Sequence, residues 1–267
     1  MMGEGPFCSD QVRPGDPYEI SRGHEIRLAP TERDAALVKW MGGQVLGSDP
    51  DVDSAATDLG VAPNPKTLLA PDVAVGPIED RPGWATQAPP LAVEYASVGQ
   101  DEDELREKIG ELLEAGTPWI WVVRLLGDRR VEVHAHGKPT TVHHVGEVLL
   151  APGVLRNPVP VEALFDRNAA HEQTLRNLLQ RKGFADLDEV LERGREEGIV
   201  EGLEKVMERG REEGALESTR ALLWEVLEAR GAVVSEEARA RIAACRETAT
   251  LKRWLIESAT GTSRLGG

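Results

Sequence analysis

The sequence predicts an α/β fold, a mixed β-sheet flanked by helices, followed by an all-α C-terminal extension. Three observations lead there. Short apolar runs rich in Val and Trp, each bounded by Pro or Gly, recur between residues 66 and 136, which is the signature of strands. A helical stretch, Asp101–Ala115, separates two of those runs at the spacing of a parallel crossover. From Asn168 to about Ala259 there is no proline and helix-forming residues dominate.

Taken in order, residues 1–20 are rich in Gly, Pro and Asp without periodicity and predict a loosely ordered lead-in. Glu32–Trp40 predicts a helix. Lys66–Val75, Pro90–Ser97, Trp119–Leu125 and Val131–His136 predict strands, with Gly127-Asp128 as a hairpin turn between the last two. In Asp101–Ala115 the residues Leu105, Ile109, Leu112 and Leu113 share one helical face, Asp101 is the expected N-cap and Gly116 the stop. Leu149–Phe165 is punctuated by proline and reads as an edge segment with a short closing helix. The change of character at Asn168 predicts a domain boundary, with residues 21–168 as the main domain.

Residues 169–217 form either a charged linker or a pairing helix. The heptapeptide ERGREEG occurs at Glu192–Gly198 and again at Glu208–Gly214, and glycines fall at 194, 198 and 202, then at 210 and 214. On a helix, a four-residue spacing aligns them along one ridge, where a second helix can approach closely. Each glycine also costs about 0.8–1 kcal/mol of helix propensity, which favours fraying instead. Residues 218–260 predict a small helical domain: an amphipathic helix at Ser218–Arg230, a stop at Gly231, a start at Ser235, and a final pair carrying Ile242, Cys245, Leu251, Trp254 and Leu255.

Composition limits the function classes. The chain has 267 residues and a formal charge of −15, with 46 acidic against 31 basic residues. Residues 1–168 alone hold 27 acidic and 15 basic side chains, so sequence-independent affinity for nucleic acid is not expected of them. No apolar run approaches a membrane span, and no basic-then-apolar leader opens the sequence. Cys8 and Cys245 sit near opposite ends, too few for a disulfide framework or a cysteine-based zinc site, which fits a reducing cytoplasm.

Two carboxylates fall within apolar segments. Asp72 lies in LAPDVAV and Glu94 in LAVEYAS. A charge in such a place is expensive unless paired or ion-bound. Alternation puts Asp72 with Ala70 and Ala74, and Glu94 with Ala92 and Ala96, so both acids share faces lined by alanine. If the two strands pair through the loop at 76–89, both can converge on one divalent cation, and oxygen ligands suit Mg²⁺ or Mn²⁺. Lys108 flanks the apolar stripe of the following helix and can reach the same strand ends. A plainer alternative pairs it with Glu104 or Glu111 on its own helix.

Pro71-Asp72, Glu94 with Ser97, Glu104 with Lys108, Gly116-Thr-Pro-Trp-Ile-Trp-Val-Val123 and Val131-Glu-Val133 together resemble the Uma-two family of the PD-(D/E)XK restriction-endonuclease-like superfamily. The resemblance spans roughly Ile20–Phe165. It implies a restriction-endonuclease-like sheet, Asp72 and Glu94 as metal ligands, Mg²⁺ or Mn²⁺ as cofactor, and Lys108 as the catalytic lysine. In many members of the superfamily the lysine follows the Glu by two residues; that position here is Ala96, so the role passes to the helix. The resemblance further implies an acid from the N-terminal helix, for which Glu32 is the first candidate and Glu25 the second. Leu112 stands where the family often has Tyr, and the N-terminal helix lacks the family's frequent His. The tail is similar to helical extensions on some transposase-associated nucleases.

The expected activity is metal-assisted phosphodiester hydrolysis, on DNA rather than RNA, with homo-oligomerisation through the C-terminal helices and possible recruitment by a protein partner. The competing expectation is a weakly active or inactive regulatory protein that oligomerises. His134, His136, His143 and His144 could form a metal cluster, although alternation reads more simply as the polar face of a hairpin. Trp84, in the loop beside the two acids, is a candidate for stacking on a base.

Overall fold

The computed structural model describes residues 7–28, 33–99 and 101–261. A six-stranded sheet is the centre of the larger part, in the order β10-β9-β8-β7-β6-β3. In chain order the elements are β1 (Tyr18–Ser21), β2 (His24–Arg27), α1 (Arg33–Gly47), β3 (Ala55–Thr57), β4 (Val61–Asn64), β5 (Thr67–Leu69), β6 (Val73–Val75), β7 (Leu91–Ala96), α2 (Glu102–Glu114), β8 (Trp119–Arg124), β9 (Arg130–Ala135), β10 (Thr141–His144), β11 (Val148–Leu149), β12 (Val159–Pro160), α3 (Arg167–Arg181), α4 (Leu187–Ala229), α5 (Glu236–Ala244) and α6 (Thr248–Thr260). A second sheet runs β2-β1-β5-β4, and β11 pairs with β12.

The expected crossover is present. β7 and β8 are parallel and α2 connects them, with the Asp101 side chain capping the backbone N–H groups of Asp103 and Glu104. All six residues of β7 are buried, as a parallel strand covered on both faces requires. One face packs Val73, Val93, Tyr95, Trp121 and Val123 against Val45 and Leu46 of α1. The other packs Ala92, Ala96, Ile120 and Val122 against Leu105, Ile109 and Leu112 of α2.

Several elements depart from expectation. The run Lys66–Val75 is not one strand: β5 joins the second sheet, β6 joins the first, and Ala70-Pro71-Asp72 bridge them. Pro71 offers no N–H to a ladder, so the break falls there. Asp72 therefore stands at the entry to β6 rather than in mid-strand. Within the lead-in, Ser9–Gln11 forms a 3-10 turn and Tyr18–Ser21 forms β1, whose Ile20 is fully buried against Val12 and Leu68.

Helix α1 continues past Trp40, through Gly42 and Gly43, to Gly47. Gly42 is needed because the buried Tyr95 hydroxyl lies where its Cβ would be, and that hydroxyl donates to the Leu164 carbonyl at 3.1 Å.

Contacts divide the chain at Glu189, not at Asn168. Helix α3 belongs to the larger unit, because Asn177 donates to Ser48 Oγ at 2.9 Å and Arg181 donates to the Asp49 and Val52 carbonyls, both at 2.6 Å. In the smaller unit, Leu223 and Leu227 of α4 form a core with Ala238 and Ile242 of α5 and Leu251 of α6. The Ser235 hydroxyl caps α5 as expected. Glycines 194, 198, 202, 210 and 214 lie inside one continuous helix, and none has a neighbouring atom within 4 Å of where a Cβ would be. Among the described residues no helix is long and apolar enough to cross a membrane.

The contact at Gly42 yields a double-mutant test. Gly42→Ala should destabilise the protein by about 1–3 kcal/mol, the usual cost of overpacking a core. Tyr95→Phe in the same chain should recover part of that loss, because the clashing oxygen is gone. Chemical denaturation of the single and double variants measures both effects.

Candidate active site

The ladders place the acids. In the β6–β7 pairing, Ala74 is opposite Ala92 and Val73 opposite Val93, so one further step sets Asp72 across from Glu94. Both are buried, at 9% and 6% exposure, on the face that carries Ala74 and Ala92. The Asp72 carboxylate accepts the Tyr95 backbone N–H at 2.7 Å and pairs with Lys39 of α1 at 2.6 Å.

Lys108 crosses from α2 onto the same place. Its ammonium donates to Glu94 Oε2 at 3.1 Å, to Glu19 Oε1 at 3.1 Å and to the Ala70 carbonyl at 2.9 Å. Thus all three of its hydrogens are engaged. The nitrogen is also 3.1 Å from Glu94 Oε1, but the angle suits only Oε2, and Oε1 is buried without a hydrogen bond. Lys108 does not pair with Glu104 or Glu111. Glu111 instead accepts from Ser21 and Thr67.

Among the described residues three carboxylates, Glu19, Asp72 and Glu94, thus face two ammonium groups, Lys39 and Lys108. The unbalanced negative charge settles where water is scarcest. Burial pushes the Glu94 carboxyl up to about 8, Lys108 opposes the shift, and Asp72 and Glu19 reinforce it. Burial works against the Lys108 ammonium, yet Glu94, Glu19 and Asp72 outweigh it and raise its pKa above the usual lysine value. The lysine serves three acids, which hold its charge, whereas Glu94 shares that one lysine with them and is pushed up by its burial.

Asp72, Glu94 and Lys108, expected to gather, do so. Glu32 lies outside the described residues. Glu25 is exposed on β2 and has no part in the cluster; the acid that reaches Lys108 from the N-terminal hairpin is Glu19 of β1. Glu19 was overlooked because its flanks are rich in Gly, Pro and Asp, although Tyr18-Glu19-Ile20 already sets an acid between apolar residues. Lys39 was overlooked too, since nothing in its neighbourhood distinguishes it from a solvated helix lysine.

The histidines do not assemble. His134 bonds Thr140 and His143 bonds Thr141, both at 3.1 Å, on a β9–β10 hairpin. Among the described residues no three His, Cys, Asp or Glu side chains are gathered so as to hold a metal ion. Trp84 is half-buried. Its ring packs on Gly60 and its indole N–H donates to the Ser9 carbonyl at 3.2 Å, so it fastens the N-terminal segment.

A central mixed sheet with a βαβ crossover, two carboxylates facing each other on adjacent strands and a lysine beside them define a restriction-endonuclease-like protein. A family model described as "Putative restriction endonuclease", Uma2, matches residues 9–159, more than half of the sequence. The chain belongs to the Uma2 family. It is also similar in fold to a solved structure from Anabaena variabilis, titled a putative nuclease belonging to DUF820. The identity is 18% and the TM-score 0.52, over 62% of this chain and 99% of that one. No curated protein matches the sequence.

The Glu94 shift has a measurable consequence. Its folded pKa lies above the unfolded value of 4.5, so below about 4.5 both states hold the proton and Glu94 imposes no penalty. As pH rises from there through about 8, the folded state must retain a proton or bury a charge, and stability is lost. Glu94→Gln should therefore gain stability relative to the unmodified protein as pH rises across that window. Thermal melts at several pH values check the sign.

Proposed function

We propose that this protein is a divalent-metal-dependent nuclease that hydrolyses phosphodiester bonds of DNA. The observation that carries the reading is the placement of Asp72 across from Glu94 on adjacent strands, both buried, in a cluster where the described residues supply three carboxylates and two ammonium groups. A hard cation would offset the excess negative charge, and two carboxylates, with water and phosphate oxygens, are a usual share of protein ligands for Mg²⁺. Asp72 and Glu94 are the residues that would hold Mg²⁺ or Mn²⁺. When bound, such an ion polarises the phosphoryl oxygen and makes water a better nucleophile.

The Lys108 ammonium is favoured by the carboxylates around it, which raise its pKa. It keeps a fixed positive charge beside the acids, where it offsets negative charge developing on phosphorus-bound oxygens. Glu19 and the Ala70 carbonyl fix the direction of that charge, and the Ala70 N–H in turn holds Glu19 Oε1 at 3.0 Å. Lys39 does the equivalent for Asp72 from the other side. These lysines and the ion are the positive charge the site offers a phosphate.

The smaller unit supports a second proposal, self-association. Ile199, Leu203, Val206 and Met207 of α4 are each more than half exposed, beside glycines whose open flanks admit another helix. Homo-oligomerisation through α4 would cover this face.

Purified protein with Mn²⁺ or Mg²⁺ should nick supercoiled DNA, and Glu94→Ala and Lys108→Ala should each reduce the rate by at least about 100-fold while circular dichroism shows the fold retained. Activity that survives both changes overturns the site. Light scattering should give a mass above the monomer for the full chain; a strict monomer at high concentration overturns self-association.

A further inference from the structure

The helix pair that closes the smaller unit carries positive charge left without acidic partners. Helices α5 and α6 are joined by only three residues, 245–247, so the end of one and the start of the other meet at a turn. Arg241, Arg246, Lys252 and Arg253 lie within two turns of helix from it. All four are exposed, and none forms an ion pair with the described residues. On α4, by contrast, Arg193 and Lys205 pair with Glu197 and Glu201. The acids of the helix pair stand mostly at its other end: Glu236 and Glu237 open α5, and Glu257 comes near the close of α6. Glu247, at the turn itself, accepts the Thr250 hydroxyl at 2.8 Å.

Two features fit these cations to a polyanion. The Arg241 guanidinium lies over the Trp254 ring, 5.6 Å from its centre, and the Arg239 guanidinium lies over Trp224 at 5.8 Å. A ring face steadies a guanidinium without using its N–H groups, so the donors stay available to phosphate oxygens. The second feature is the outer face of α6. Leu251 is fully buried in the core of the unit. At about 100° per residue, Ala249 and Ile256 mark the middle of the face opposite it, and Lys252 and Arg253 lie about 50° to either side. Ala249 is exposed and Ile256 is 63% exposed. A helix with a narrow uncharged ridge and a long cation on each flank matches a groove between two phosphate walls. The major groove of duplex DNA, about 12 Å wide, admits a helix, whereas that of duplex RNA is too deep and narrow.

We propose that the α5–α6 pair is a docking surface for duplex DNA, with α6 in the major groove, Lys252 and Arg253 on its two phosphate walls, and Arg241 and Arg246 on the adjoining backbone. Contacts of this kind hold DNA without selecting a sequence. The charge of −15 over the whole chain does not forbid it, because at physiological salt charges beyond about 8 Å are largely screened. The proposal goes beyond the acid cluster and does not rest on it, since docking needs neither a metal ion nor cleavage.

Fluorescence anisotropy of the full-length protein with a labelled 20-base-pair duplex, in low salt with EDTA, isolates docking from hydrolysis. Lys252→Ala with Arg253→Ala should weaken binding by at least about ten-fold and lower the slope of log affinity against log salt by about two. Both side chains are exposed on a helix, where alanine is well tolerated, and circular dichroism checks the fold. Arg167→Ala with Arg176→Ala, which removes the same charge from α3, should leave affinity within about two-fold, as should Glu94→Ala. No binding by the unmodified protein overturns the proposal, and so does an equal loss in the α3 variant. Tighter binding of single-stranded DNA or duplex RNA than of duplex DNA overturns the groove geometry. If the α6 changes instead lower the mass seen by light scattering and spare DNA affinity, a second copy covers this face and the proposal falls. None of these results bears on whether the acids of the larger unit cleave DNA.

Discussion

The ammonium of Lys108 is the contact on which the site depends. It joins three separate pieces of backbone: the β1 hairpin through Glu19, the β5–β6 break through the Ala70 carbonyl, and β7 through Glu94. Burying a lysine costs several kcal/mol unless its hydrogens and charge are met, and here all are met. The arrangement also explains the split of Lys66–Val75 into two strands. Were residues 70–72 extended within one sheet, the Ala70 carbonyl would belong to a ladder and could not turn toward α2. Pro71, which interrupts pairing, frees that carbonyl and delivers Asp72 at the mouth of β6.

A cluster with more carboxylates than ammonium groups is not an arrangement that stability would favour. Ion pairs in a core rarely repay their desolvation even when balanced, and hydrophobic replacements often do better. Glu94 shows the cost in its raised pKa and its unbonded oxygen. Strain of this kind concentrates where a protein binds something. The alanine faces agree, since a purely structural salt bridge would be packed by larger side chains. On β6 and β7 themselves the larger residues, Val73, Val93 and Tyr95, lie on the opposite face of the sheet.

How far the sequence revealed this depended on whether each residue had local context. The β7–α2–β8 crossover was legible because periodicity, a capping Asp and a stopping Gly coincide within thirty residues. Asp72, Glu94 and Lys108 were legible because charges inside apolar runs stand out. Glu19 was not, because it enters through a strand of only four residues, too brief to display alternation, and reaches the cluster only through long-range pairing. The extent of α1 was misread for a related reason: Gly42 and Gly43 signal a helix end locally, and only the position of Tyr95, some fifty residues away, gives Gly42 its purpose. The boundary at Asn168 was misplaced because α3 resembles the tail in composition, while its polar side chains are committed to the α1 terminus.

The net charge of −15 must finally be reconciled with the proposed polyanionic substrate. Long-range attraction cannot gather DNA to such a surface, and at physiological salt the field of distant charges is screened within about 8 Å in any case. On the proposed reading, the larger unit's affinity would come from the groups at the site, namely a bound cation, Lys39 and Lys108. Two of these are lysines already engaged by carboxylates, so the ion carries most of the free positive charge. Binding and catalysis would thereby depend on the same ion. A nuclease built this way would have little grip on duplex DNA that does not reach its centre, and its reach would be set by whatever brings the substrate close. A partner or a second copy engaging α4 would supply that proximity without any change at the acids.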